Sequence, residues 1–189
     1  MSNKVKYGLC NVYVAPILAA GPTGVTYDSP FKIPGAVDLT LDPEGESADF
    51  FGDNTKYFSQ AANQGYTGNL EIALLTDEFK TKILGEQVDG NGAMFENSDD
   101  EIKDFALGFQ IDGDKTNSKF WFYNVSAKRP STSSSTTETS KEPQTDTLDI
   151  TATPRISDNQ VKVRLEKSDS NTVAYNTFFD NVYEKLPSA

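Results

Sequence analysis

FALGFQIDGDKTNSKFWFYNVSA, residues 105–127, decides the fold. In its first half Phe105, Leu107, Phe109 and Ile111 occupy alternate positions, the period of a β-strand with one buried face. Asp112-Gly113-Asp114 forms the loop. The chain then returns through Phe120, Trp121, Phe122, Tyr123 and Val125, an apolar run that predicts a strand buried on both faces. Two such strands carry more sheet surface than one small core readily covers.

Towards the N-terminus, VKYGLCNVYV at residues 5–14 reads as a first strand, with Pro16 expected to end it and a Gly- and Pro-rich loop to follow. Ala36 to Leu41 alternates, predicting that Val37, Leu39 and Leu41 share a face opposite Asp38 and Thr40. Residues 47–59 place Phe50 and Phe51 on one side of an Asp53-Asn54-Thr55 turn and Tyr57 and Phe58 on the other, the pattern of a hairpin. Its aromatics fall on both faces, and a hairpin packed on one side cannot bury both. Phe50, Phe51, Tyr57 and Phe58 are therefore candidate self-assembly contacts. Leu70, Ile72 and Leu74 mark another half-buried strand.

One helix is predicted after it. Thr76 suits the N-cap, Asp77 and Glu78 sit in the first turn, and Gly85 stands where a C-cap glycine belongs. Phe79, Ile83 and Leu84 supply its apolar stripe.

Towards the C-terminus, residues 131–140 hold nine Ser or Thr in ten positions, and 131–147 is expected to be a loop between strands of one domain. Strand patterning resumes with Leu148, Ile150 and Ala152, then with Val161, Val163 and Leu165. Residues 173–189 are an arm or a short helix, in which Phe178 and Phe179 are two further candidate self-assembly contacts. About eight or nine short strands, one flanking helix, a long hairpin and extended terminal arms predict a mainly β fold, an antiparallel sandwich or barrel. All 189 residues are assigned to a single domain.

Composition narrows the function classes. Hydrophobic residues make up only 37%, yet 12 Phe, 8 Tyr and one Trp can build a modest core. The net charge of −11 opposes adhesion to nucleic acid and anionic lipid, and suits a surface past which DNA slides. A lone Cys10 precludes an intramolecular disulfide and is read as a small hydrophobe of the first strand. The N-terminal residues lack the apolar stretch of a signal peptide, so synthesis in the cytoplasm is expected, and no run of roughly 20 apolar residues predicts a membrane span.

Chemistry is hard to find. No histidine is present, which removes Ser-His-Asp and Cys-His arrangements and most zinc sites. Asp112-Gly113-Asp114 begins like a calcium loop, but Asn117 stands where glycine is needed and Tyr123 where glutamate is needed. Asp99-Asp100-Glu101 and Asp89-Gly90-Asn91-Gly92 read as a solvated loop and a turn. No catalytic, cofactor-binding or metal-ligating residue is therefore assigned, and the chain is not expected to be an enzyme.

Several stretches in order resemble the major tail tube protein family of siphophages infecting low-GC Gram-positive bacteria. They are Gly8 with Asn11-Val12-Tyr13, Phe51-Gly52-Asp53-Asn54 with Tyr57, and Gly68-Asn69-Leu70-Glu71-Ile72. Leu84-Gly85 with Asp89 to Gly92, Ala106-Leu107-Gly108-Phe109, Phe120 to Tyr123, and Thr147-Leu148 to Pro154 complete them. The resemblance implies a virion tail subunit that closes into homo-hexameric rings and stacks them into a conduit for DNA. It also implies a tape measure protein in the lumen, terminator and baseplate proteins at the ends, and no cofactor. The Ser/Thr-rich loop is foreign to that pattern. The competing expectation is another virion or adhesive module, a capsid decoration protein or a carbohydrate-binding sandwich using the aromatic strand.

Overall fold

A computed structural model describes residues 3–45, 47–52, 54–132, 134, 136 and 143–186, except for the side chains of 47–52, 56 and 58–61. The fold is mainly β and antiparallel throughout. Its strands are β1 (Lys6–Gly21), β2 (Gly24–Tyr27), β3 (Phe31–Ile33), β4 (Ala36–Glu44), β5 (Ser47–Gly52), β6 (Thr55–Ala61) and β7 (Gly65–Ile72). There follow β8 (Gln87–Val88), β9 (Met94–Phe95), β10 (Phe105–Gly113), β11 (Ser118–Ala127), β12 (Asp146–Ala152) and β13 (Lys162–Glu166). Nine of them form one sheet in the order β2-β1-β10-β11-β12-β7-β4, with β3 added to β1 and β13 to β11. The sheet curls far enough for its last strand, β4, to approach β1 without pairing to it.

The β10–β11 hairpin is the centre of this sheet, as its sequence predicts. Its inward side chains, Phe105, Leu107, Phe109, Phe122 and Val125, are buried with Leu70, Ile72, Leu148 and Ile150 from β7 and β12. Fully burying a residue of this size stabilises by about 1.5–3 kcal/mol. The flanking helix closes this core. Thr76 Oγ1 accepts the Phe79 N–H, α1 (Asp77–Phe79) runs into a π-helical turn (Lys80–Leu84), and Gly85 ends it in the left-handed region at φ 80°. Phe79, Ile83 and Leu84 all point inward, and Phe79 meets Phe105 edge-on with centroids 5.6 Å apart.

Three details depart from the sequence expectations. Pro16 does not end β1, which continues to Gly21. The proline sits where β1 passes from β10 to β2, a place that needs no N–H, and its carbonyl accepts from Asp28. Val37 does not face inward with Leu39 and Leu41. A register shift between Ala36 and Asp38 inserts a residue and turns Val37 out to solvent. Leu74 is likewise exposed, because β7 stops at Ile72 and the turn delivers Leu75 to the core instead.

The outer face of β11 has its own cover. Trp121 and Tyr123 lie under the C-terminal segment, a short helix α2 (Thr172–Asn176) followed by irregular chain, together with Ala15, Ala106, Phe178 and Val182. The double burial that the sequence predicts for β11 is thus completed within the chain, by a second cluster apart from the main core. Gly108, register partner of Trp121, leaves room for the indole: a Cβ there would lie 2.8 Å from Cζ3 of the ring.

Candidate assembly surfaces

Two of the six candidate self-assembly residues lie in this C-terminal segment. Alternate residues of β11 point outward and carry donors. Lys119 Nζ donates to the Tyr175 carbonyl at 2.7 Å, Trp121 Nε1 to the Phe178 carbonyl at 2.9 Å, and the Tyr123 hydroxyl to the Tyr183 carbonyl at 2.8 Å. Irregular chain has carbonyls without ladder partners, and three donors two residues apart on a strand satisfy them. Arg155 completes the clamp. Its guanidinium lies over the Tyr123 ring and bonds both Asp158, at 2.7 Å, and Glu184, at 2.6 Å. That pairing holds the Asp158 carboxyl below its ordinary range. Phe178 is 1% exposed, so its ring offers no surface to a neighbour; Phe179 stacks on Tyr13 at 4.7 Å. The same cover buries Trp121 and Tyr123, whereas Phe120 of the same strand stays half-buried on the other face.

The other four candidates lie on the predicted hairpin, whose backbone is as expected. Strands β5 and β6 pair from Ser47↔Ala61 to Gly52↔Thr55, with Asn54 in the turn at φ 60°. They continue β4 and β7, which pair from Ala36↔Ile72 to Glu44↔Gly65, so the two pairs make one long ribbon. Among the described residues its distal half belongs to no larger sheet. Tyr57 is 81% exposed there, while the side chains of Phe50, Phe51 and Phe58 fall outside the described residues. Residues 36–61 carry six acids against Lys56 alone, a net −5 of the chain's −11.

In each acidic loop weighed as an ion site, at least one carboxylate oxygen accepts hydrogen bonds from the chain. Asp89 Oδ1 accepts the Asn91 and Ala93 N–H groups, each at 2.8 Å, and those bonds lower its pKa. Asp114 Oδ1 accepts the Lys4 N–H at 2.8 Å, and Asp100 Oδ2 the Asn97 N–H at 2.7 Å. Asp112 Oδ1 takes the Gln110 amide at 2.9 Å and the Cys10 thiol at 3.5 Å. Cys10 is half-buried rather than fully so; burial first, then Asp112, pushes its pKa up, away from nucleophilic use. Among the described residues no three His, Cys, Asp or Glu side chains could hold a metal ion. No helix among them is long and apolar enough to cross a membrane.

What the geometry leaves open is backbone. Among the described residues strand β4 pairs only with β7, β13 only with β11, and β1 has no second partner over Lys6–Asn11. Such edges are pairing templates unless blunted. The sequence matches no protein-family model and no curated protein.

Proposed function

We propose that this chain is the repeating structural subunit of a phage tail tube. In this reading it acts without catalysis and assembles in the host cytoplasm into homo-hexameric rings. The rings stack into a conduit around a tape measure protein, end at terminator and baseplate proteins, and pass DNA without holding it. The observation that carries the proposal is the acidic ribbon of residues 36–61, whose β5–β6 half leaves the sheet and, among the described residues, pairs only with itself. A two-stranded hairpin is marginal in water alone, and further packing is what makes such an element worth keeping. A heterologous contact repeated around a ring would use every such ribbon and leave none over. A surface rich in carboxylates also lets a polyphosphate slide, since it offers no cations to replace counterions.

Negative-stain microscopy tests this directly. The purified wild-type chain is expected to give rings or tubes at high concentration, and a variant with residues 47–61 replaced by a two-glycine turn is expected to stay monomeric. Wild-type protein that remains monomeric at every concentration tried would overturn the proposal. Assembly unaffected by the deletion would remove the ribbon's part in it.

A further inference from the structure

We propose that Asn91-Gly92, at the tip of the β8–β9 hairpin, is a site of spontaneous deamidation whose rate is set by the Asp89 carboxylate. The tube reading neither supplies this step nor depends on it. Asn91 is the one asparagine of the chain that is followed by glycine. A side chain on the following residue crowds the attacking nitrogen, and glycine carries none.

The reaction needs only water and base. The Gly92 nitrogen, once it has lost its proton, attacks Cγ of Asn91. A C–N bond forms there, the bond from Cγ to the side-chain nitrogen breaks, and ammonia leaves. The product is a five-membered succinimide. Water then adds at either of its two carbonyls and opens the ring, leaving aspartate or isoaspartate.

The structure exposes this pair and also holds it back. Asp89, Gly90, Asn91 and Gly92 are all exposed, and a Cβ built on Gly92 would meet nothing within 4 Å. In the closed turn the nucleophile is occupied, because the Gly92 N–H donates to the Asp89 carbonyl at 3.1 Å. Asp89 Oδ1 keeps the turn shut by accepting the N–H groups of Asn91 and Ala93, each at 2.8 Å. Reaction therefore waits for the turn to open.

Opening costs little. β8 and β9 pair only as Gln87↔Phe95 and Val88↔Met94, and among the described residues they join no larger sheet. Val88 is 50% and Phe95 52% exposed, so little apolar surface holds the ladder closed. Asn117-Ser118 is a contrast: Asn117 Oδ1 accepts the Gly113 N–H at 3.4 Å, and Ser118 is a buried residue of β11. The products do not fit the closed turn. Aspartate at position 91 takes the chain from −11 to −12 and sets a second carboxylate beside Asp89. Isoaspartate adds a main-chain methylene between the two N–H groups that Asp89 Oδ1 holds. Conversion therefore unfastens the hairpin tip.

Peptide mapping by mass spectrometry reads the reaction. The purified full chain is incubated at neutral and at mildly alkaline pH and digested at intervals. The peptide carrying residue 91 is weighed, and its isoaspartate is detected by methylation with an isoaspartyl methyltransferase. Asn91 is expected to convert before every other asparagine, and faster at the higher pH, because the attacking nitrogen must lose a proton. Asp89→Ala should speed conversion on the order of ten-fold, the factor that loss of two hydrogen bonds of ordinary net strength gives. Asn91→Gln should stop it, since the longer side chain must close a larger ring. Thermal melts establish that each variant is folded. Another asparagine converting first, or isoaspartate persisting in the same peptide of Asn91→Gln, would overturn the site. An unchanged rate in Asp89→Ala would overturn the part given to that carboxylate.

Discussion

Phe178→Ala separates a residue that holds the chain to itself from one that holds two chains together. The ring is 1% exposed, stacked on Tyr183 at 5.3 Å and edge-on to Phe179 at 5.5 Å, in the cluster that covers Trp121 and Tyr123. Truncating a buried Phe to Ala costs about 3–5 kcal/mol, the lost transfer free energy plus the void left behind. The segment is irregular and could partly collapse onto the gap, which places the expected loss at the lower half of that range. For a chain of this length each kcal/mol moves the melting midpoint by roughly 2–4 °C, so a fall of about 6–16 °C is expected. The assay is urea or thermal unfolding of dilute, monomeric protein, followed by fluorescence of Trp121. Tyr57→Ala is the control, since an exposed site shifts stability by no more than about 0.5 kcal/mol. If Phe178→Ala melts within 2 °C of wild type as a monomer while abolishing assembly, the reasoning is wrong, and the residue serves the interface after all.

The outer face of β11 yields a second test: Gly108→Ala pushes a methyl into the Trp121 indole and should cost about 1–3 kcal/mol, with a shift in indole emission. Unchanged emission and stability would mean the ring does not cross the glycine. The third concerns acid. The Asp158 carboxyl is held low chiefly by its hydrogen bonds to Arg155, so its contribution is present above the unfolded value near 3.9 and is lost as pH falls through the folded value. Asp158→Asn should therefore be less stable at pH 7 and lose less on acidification below about pH 4; parallel acid-unfolding curves for the two proteins would contradict it.

What could be read in advance follows from the range of the interaction responsible. Phe105, Leu107 and Phe109 reveal their strand because the period of burial is local, and Thr76 and Gly85 bracket their helix because caps are local too. The Asp53-Asn54 turn announced its hairpin for the same reason. Val37 defeated the pattern, since one inserted residue reverses every later parity and leaves no mark in composition. The irregularity between Cys10 and Tyr13, where Asn11 adopts φ 52°, is of the same kind. The cover of β11 was illegible for a different reason. Its donors at 119, 121 and 123 meet carbonyls 56, 57 and 60 residues away, and a carbonyl is the same atom whatever side chain it carries. Nothing local in Tyr175 to Tyr183 says which strand will satisfy it.

That cover changes which surfaces can argue for assembly. An aromatic strand with two apolar faces is evidence of a missing partner only while the second face is bare, and Trp121 and Tyr123 are not bare. The burden passes from side chains to backbone. Lys6–Asn11 on β1 and the outer edges of β5 and β6 still hold donors and acceptors that no described strand meets. Water can satisfy such groups, so an open edge is not unstable by itself. It does become selective when its charge differs from the rest of the molecule. Monomers of net −11 repel one another on average, so a contact between copies has to offset that repulsion, and the repulsion disfavours the orientations that bring like charges together.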